Sequence, residues 1–122
     1  IKMVRTVSYT SDARKLYELP NYGNFDLVCS FSMLMHFSLK EWSVITQSIL
    51  QSAKFALFTQ PIAKGVSVDH ASDVNADWHY SWISQQDLGT TIKKSGHELV
   101  RKDVYLKSDF GEESDILTRR VI

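Results

Sequence analysis

Two nearly continuous apolar runs, separated by a segment of helix length, constrain the fold of this chain more than any other feature. The runs are Phe25 to Phe31 and Lys54 to Thr59, and neither alternates strictly between apolar and polar residues. Such strands are typical of parallel sheets, in which helices cover both faces and both sets of side chains are buried. We therefore expect two central, parallel strands.

The segment between the two runs is predicted to be an amphipathic helix. Ser38 and Glu41 form a capping box, in which each side chain satisfies a backbone N–H at the helix start. The apolar residues recur every three or four positions on one face; they are Leu39, Trp42, Ile45, Ile49 and Ala53. Strand, helix and strand at this length indicate a βαβ unit.

A loop, a helix and two strands are expected after this unit. Pro61 to Trp78 is polar and has little periodicity, which predicts a long loop. Ser84 is placed to cap the next helix, and Gly96 is a natural left-handed residue at its end. Leu99 to Leu106 and Ile116 to Ile122 are predicted to be two strands, joined closely enough to pair antiparallel.

The residues before the unit complete the predicted architecture. Met3 to Tyr9 alternates and is rich in β-branched residues, so it is a further candidate strand. Ala13 to Leu19 is a short helical piece that ends before Pro20. A chain of 122 residues suits one domain. We predict a single domain over residues 1–122, a Rossmann-like three-layer sandwich with a mostly parallel five-stranded sheet and an antiparallel last strand.

Charge and cysteine content narrow the function classes. The 14 basic and 14 acidic residues cancel, whereas nucleic-acid binders normally carry a basic excess. No apolar stretch approaches the roughly 20 residues of a membrane helix. The single cysteine, Cys29, excludes an internal disulfide and disfavours a structural zinc site. We expect a cytoplasmic protein without nucleic-acid, membrane or metal partners, in which Cys29 is an inert core residue.

Several short motifs, in order, resemble one enzyme family. Phe25 to Val28 followed by Ser32 to Phe37 resembles the fourth-strand motif of class I S-adenosylmethionine-dependent methyltransferases. Ser11 to Ala13 is similar to the acidic-Ala step that ends the family's third strand, and Ala53 to Phe58 to the start of its fifth. Ser95 to Val100 looks like the entry to the sixth strand, with His97 in an aromatic position.

The resemblance implies a cofactor, S-adenosylmethionine, and residues that contact it. By match, Asp12 with Ala13 would contact the adenine amine, although Asp12 is also well placed to cap the helix that begins at Ala13. Further candidate cofactor contacts are Ser30, Phe31 and Ser32. They lie at the carboxyl end of a predicted parallel strand, where open α/β sheets bind ligands. Phe31 is equally a candidate core residue.

Two groups of residues are candidates for the acceptor side. His36 lies in the motif and is the candidate catalytic base, with a structural hydrogen bond at the helix entrance as the alternative. Trp78, His79, Tyr80 and Trp82 form the densest aromatic cluster, which would line a substrate pocket for a small-molecule acceptor. The alternative for this cluster is that it anchors a long loop to the sheet.

The glycine-rich cofactor loop of the family has no counterpart here. The five glycines form no G-x-G pattern, and the family's first two strands would precede Ile1. The chain is therefore expected to be a fragment or remnant, or to receive the missing half from another chain. Without those strands the Phe25 to Phe31 strand has an open edge. Either Met3 to Tyr9 fills the vacated slot, or strand exchange with a second copy makes a homodimer.

Two functions follow from this resemblance. The first is methyl transfer to a small molecule, which requires the missing half. The second is a catalytically inactive methyltransferase-like domain that acts in binding or assembly. Enzymatic activity is left open at this stage.

Overall fold

The computed structural model describes residues 12–71 and 79–121, together with residues 6 and 8. Two short 3₁₀ helices, Ala13–Glu18 and Leu34–His36, accompany two α-helices and six strands in the described part. These are β1 (Phe25–Ser30), α1 (Leu39–Gln51), β2 (Ala53–Ala63), β3 (Val68–Ala71), β4 (His79–Ser84), α2 (Gln85–Lys94), β5 (His97–Ser108) and β6 (Gly111–Arg120).

One six-stranded sheet connects all the strands, with β2 at its centre. β1 pairs parallel with one edge of β2, from Phe25 opposite Ala53 to Ser30 opposite Phe58. β6 pairs antiparallel with β2 and with β5. The predicted βαβ unit and the antiparallel last strand are therefore confirmed, and the fold is a Rossmann-like α/β fold with a parallel core.

The described part of the segment predicted as a long loop, residues 61–71, contains strand at both of its ends. β2 continues to Ala63, and β3 and β4 form an antiparallel pair whose β4 runs parallel to the end of β2. Four of the five predicted strands are among the six that are described, the fifth (Met3 to Tyr9) lies outside the described residues, and β3 and β4 were not predicted. β3 is only four residues long and contains Asp69 and His70, so its conformation depends on strand pairing and not on a hydrophobic pattern of its own.

The last two strands are longer than predicted. β5 and β6 include most of the polar stretch that was expected to be only a connection, and they are joined at residues 109–110. β5 contains two register shifts, between Leu99 and Arg101 and between Val104 and Leu106. Such bulges displace the alternation of side chains, which explains why the hydrophobic pattern predicted shorter strands.

Serine caps start both α-helices as predicted. The Ser38 Oγ accepts the backbone N–H of Glu41 at 3.3 Å, and the Ser84 Oγ accepts that of Asp87 at 3.0 Å. The second half of the predicted capping box differs, because the Glu41 carboxylate pairs with the Arg14 guanidinium at 2.5 Å. The first 3₁₀ helix is thereby tied to the first turn of α1.

The described helices cover only one face of the sheet. α1 and α2 contribute to a single core with β2, β4 and β6, so the described part has two layers where we expected three. On the opposite face Leu27 and Phe55, which are paired across β1 and β2, are 53% and 45% exposed. The core consists of Leu34, Trp42, Ile45, Ile49, Leu50, Ala56, Phe58, Ile62, Ile83, Leu88, Ile92 and Ile116.

The proposed partner of the β1 edge lies outside the described residues. Of Met3 to Tyr9, only Thr6 and Ser8 are described, and both are exposed and outside any helix or strand. Within the described ranges β1 pairs with β2 alone. The placement of Met3 to Tyr9 beside β1 therefore stays a prediction.

A histidine is buried at the start of β5. His97 is 4% exposed, and its Nδ1 lies 3.0 Å from the Thr118 hydroxyl on β6. Burial lowers the pKa of His97 below its usual value of 6.5, and the charge of Arg120 acts in the same direction. The folded state therefore holds this imidazole neutral at a pH at which the unfolded chain protonates it.

The buried imidazole predicts a loss of stability in mild acid. Below about pH 6.5 the unfolded state binds a proton that the folded state does not, so the free energy of unfolding falls by up to about 1.4 kcal/mol per pH unit until the folded pKa is reached. The double substitution His97→Phe with Thr118→Val removes the imidazole and the hydroxyl it contacts. Urea unfolding at pH 7.5, 6.5 and 5.5 measures the free energy of unfolding, which should fall more steeply with decreasing pH in the wild type than in the double variant. The same pH dependence in both proteins would contradict a lowered pKa of His97.

Candidate functional site

A cavity of about 380 Å³ lies beside β1, between this strand and the first 3₁₀ helix. We call it the β1 cavity. Its size falls within the usual range of small-molecule sites, about 300–1,000 Å³. Four of the five residues expected to contact a cofactor line it: Asp12, Ala13, Ser30 and Phe31. The remaining lining residues are Leu16, Leu19, Val28, Cys29, Met33 and Ile49.

Ser30 is the polar group of the cavity that most needs a partner. It is the last residue of β1 and is 8% exposed, and its Oγ has no hydrogen-bond partner among the described residues. A buried hydroxyl without a partner costs stability, and such groups in native proteins call for an explanation. A ligand in the cavity that bonds to this hydroxyl would provide one.

Asp12 both caps a helix and borders the cavity. Its Oδ1 accepts the backbone N–H of Arg14 at 2.9 Å, which confirms the capping role. This hydrogen bond lowers the pKa of the Asp12 carboxyl, and the Arg14 charge adds to the effect. The group is therefore an ionised acceptor at neutral pH. Ionised carboxylates offer several acceptor positions, so capping does not prevent a further bond to a ligand.

The chain turns sharply where β1 ends. Phe31 is 56% exposed and forms part of the cavity wall, so it is not the core residue of the alternative interpretation. Ser32 has a positive φ of 56° and donates its backbone N–H to the Thr59 Oγ1 at 2.6 Å. Ser32 is adjacent to the cavity lining but is not one of the residues that form it.

The prediction that Cys29 is an inert core residue is wrong. Cys29 lies on β1, is exposed and lines the β1 cavity. The apolar run does form a strand. Among the described elements, however, β1 has a partner on one edge only and helices on one face only, so the side chains on its other face are not buried.

His36 lies away from the β1 cavity. It is the last residue of the second 3₁₀ helix, is exposed and does not line that cavity. Its backbone N–H donates to the Met33 carbonyl at 3.1 Å. The same short helix approaches β4, where the Ser81 hydroxyl donates to the Met35 carbonyl at 3.4 Å.

The aromatic cluster is only partly described. Trp78 lies outside the described residues, whereas His79, Tyr80 and Trp82 belong to β4. Trp82 is half-buried and pairs in register with Val68 of β3. The described part of the cluster is therefore strand and not the end of a loop. It lies on β4, the strand that is approached by the second 3₁₀ helix, which carries His36.

Some of the cavity residues were not anticipated from sequence. Leu16, Val28 and Met33 had no assigned ligand contact. The family resemblance pointed to Asp12 with Ala13, and the carboxyl end of a parallel strand pointed to Ser30 to Ser32. Residues placed by tertiary packing leave no comparable signal in a single sequence.

The described residues contain neither a metal-binding cluster nor a membrane-spanning helix. No group of three or more His, Cys, Asp or Glu side chains there is arranged to hold a metal ion. No helix in the described ranges is long and apolar enough to cross a membrane.

Solved structures of S-adenosylmethionine-dependent methyltransferases share this fold. Magnesium protoporphyrin IX methyltransferase from Synechocystis PCC 6803, with bound S-adenosylmethionine, is 15% identical, with a TM-score of 0.61 over 87% of this chain and 43% of that chain. The Burkholderia thailandensis 1,6-didemethyltoxoflavin-N1-methyltransferase, bound to 1,6-didemethyltoxoflavin and S-adenosylhomocysteine, is 14% identical, with a TM-score of 0.68 and coverages of 88% and 48%.

A third match comes from an archaeon. A S-adenosylmethionine-dependent methyltransferase from Methanosarcina mazei is 11% identical, with a TM-score of 0.69 over 92% of this chain and 66% of that chain. This chain thus spans about half the length of the methyltransferases it matches. No protein-family model matches the sequence, and no curated protein matches it significantly. The chain has the fold of part of a class I methyltransferase.

The exposure of Cys29 predicts its reactivity. Because it is the only cysteine and lies open on β1, the native chain should react with one equivalent of Ellman's reagent without denaturant. The rate should be within roughly an order of magnitude of that for the urea-unfolded chain, because reagent access needs no unfolding. Labelling that occurs only in denaturant would place the thiol inside the protein and contradict the arrangement of the β1 cavity.

Proposed function

We propose that this chain carries part of the cofactor site of a S-adenosylmethionine-dependent methyltransferase. In this proposal it serves methyl transfer to a small molecule once the missing half of the fold completes it. The observation that carries the proposal is the convergence of Asp12, Ala13, Ser30 and Phe31 on one cavity. These residues come from two separate segments, and the resemblance and the strand-end position each indicate a cofactor contact for them.

The chemistry of the cavity suits the adenosyl end of this cofactor. Apolar side chains such as Leu16 and Met33 offer contact surface for a flat aromatic ring. The ionised Asp12 carboxylate is an acceptor for an exocyclic amine, and the unpartnered Ser30 hydroxyl is available to a ring nitrogen or a ribose hydroxyl. When bound, the cofactor supplies an activated methyl group on a positively charged sulfur.

The proposal also assigns residues to the methyl acceptor. His36 and the cluster of Trp78, His79, Tyr80 and Trp82 would border the acceptor. Support comes from the second 3₁₀ helix, which carries His36 and bonds to β4 through Ser81. Methyl transfer would require this side of the site to hold the acceptor in line with the cofactor's methyl group, and His36 would be the candidate to take up the acceptor's proton. Orientation of the acceptor can supply much of this rate enhancement.

The remaining half of the site must come from elsewhere. The matched methyltransferases contain about as much chain again as is found here. Added structure would pack on the edge of β1 that has no partner among the described strands and on Leu27 and Phe55, which are exposed on the opposite face from the described helices. We propose completion by the missing half in the same chain or a partner chain, with a homodimer as one form. A cytoplasmic, reducing environment would suit the exposed Cys29 thiol.

The alternative function is a catalytically inactive methyltransferase-like domain that acts in binding or assembly. The sequence observation in its favour is the lack of any G-x-G pattern among the five glycines. Without such a loop this chain has no evident group to approach the methionine end of the cofactor closely.

Calorimetric titration of the purified chain with S-adenosylmethionine and S-adenosylhomocysteine distinguishes these functions. The proposal predicts saturable binding with a Kd below about 1 mM, or at least about 4 kcal/mol of binding free energy. Ser30→Ala should weaken binding at least threefold without lowering stability, because its hydroxyl is unpaired in the protein alone.

The control for this titration is Val44→Ala, a substitution at an exposed position of α1 that does not border the β1 cavity. It should bind as the wild type does. An absence of binding heat up to millimolar ligand would contradict the proposed cofactor contacts of the β1 cavity and favour the inactive domain.

A further inference from the structure

Ser32 holds a backbone conformation that serine rarely adopts. Its φ of 56° lies in the left-handed region, which glycine and asparagine tolerate better than other residues. The only other described non-glycine residue with positive φ is Asn21, a residue type suited to it. Something outside Ser32 must therefore stabilise its conformation.

The Thr59 hydroxyl is the group that does so. Pairing between β1 and β2 ends at Ser30 opposite Phe58, so the next residue of β2 is Thr59. At this point the backbone of β1 leaves the sheet, and the Ser32 N–H donates to the Thr59 Oγ1 at 2.6 Å. The Thr59 side chain thus provides the next contact between the two segments, one residue beyond the end of the ladder on β2 and two residues beyond it on β1.

The residues on both sides of Ser32 line the β1 cavity. Phe31 and Met33 form part of its wall, and Phe31 is 56% exposed. A rotation of the backbone at Ser32 would move both side chains relative to the rest of the wall. The hydrogen bond from Ser32 to Thr59 therefore controls the shape of the cavity without belonging to its lining.

We propose that Thr59 is a positioning residue, whose hydroxyl holds Ser32 in the left-handed conformation and thereby sets Phe31 against a flat ring bound in the β1 cavity. This inference rests on the proposed function, because the ring is that of an adenosyl ligand. Thr59 itself touches no ligand in this account and acts through Ser32.

Thr59→Val tests the proposal with a substitution of nearly equal shape. It should weaken S-adenosylhomocysteine binding about three- to tenfold, the effect of losing one ordinary hydrogen bond. Thr59→Ser retains the hydroxyl and should bind like the wild type. The same chemical change at an exposed position of α2, Thr90→Val, is the matched control and should leave binding unchanged.

Rescue separates positioning from a general structural role. Glycine adopts positive φ readily, so Ser32→Gly combined with Thr59→Val should recover most of the lost affinity. Ser32→Val, whose β-branched side chain disfavours this conformation, should weaken binding even with Thr59 intact. If Thr59→Val fails to fold, Ser32→Val tests the same contact from the other side.

Amide hydrogen exchange at Ser32 provides a readout that needs no ligand. The Ser32 amide should be protected in the wild type and in Thr59→Ser, and should lose protection in Thr59→Val. Protection together with absent ligand binding would refute the proposed function while leaving the Thr59 contact intact. Equal affinity in the wild type and Thr59→Val, or an unprotected Ser32 in the wild type, would overturn the positioning role.

Discussion

The pairing of β2 with its neighbours is the constraint on which the rest of this structure depends. β2 lies between β1 and β6 and also receives β4 at its far end, so three strands take their position from it. Its residues Ala56, Phe58 and Ile62 belong to the core to which both α-helices contribute. A buried hydrogen bond from the Trp42 indole to the Gln60 side chain, 2.9 Å long, fixes α1 over the same strand.

β2 also positions the residues of the candidate site, because β1 takes its place beside it. β1 pairs with β2 along one edge, and its residues Val28 to Ser30 line the β1 cavity together with residues of the first 3₁₀ helix. Helices cover one face of the sheet, and Phe55 and Leu27 are left exposed on the other face of the described part. In the proposed function the chain contributes one side of a cofactor site, and the exposed face of its sheet is where further structure would pack.

The sequence was sufficient for the parts of the fold that local chemistry controls. The two apolar runs, the Ser38 and Ser84 caps and the left-handed Gly96 all predicted elements that the structure contains. It was insufficient where tertiary pairing decides, as for β3, and where burial depends on what covers a surface, as for Cys29. Strand-end position and family resemblance located Asp12 and Ser30, whereas Thr59 became visible only through its contact with Ser32.

The central claim is that the β1 cavity binds the adenosyl part of the cofactor. The most direct test is a two-dimensional NMR titration of the ¹⁵N-labelled chain with S-adenosylhomocysteine, which detects binding even at millimolar Kd and locates it. The account predicts amide shifts concentrated at residues 12–16 and 28–33, on the two segments that line the cavity. Shifts confined to the exposed groove around Tyr17 and Val44, or no shifts at saturating ligand, would contradict it.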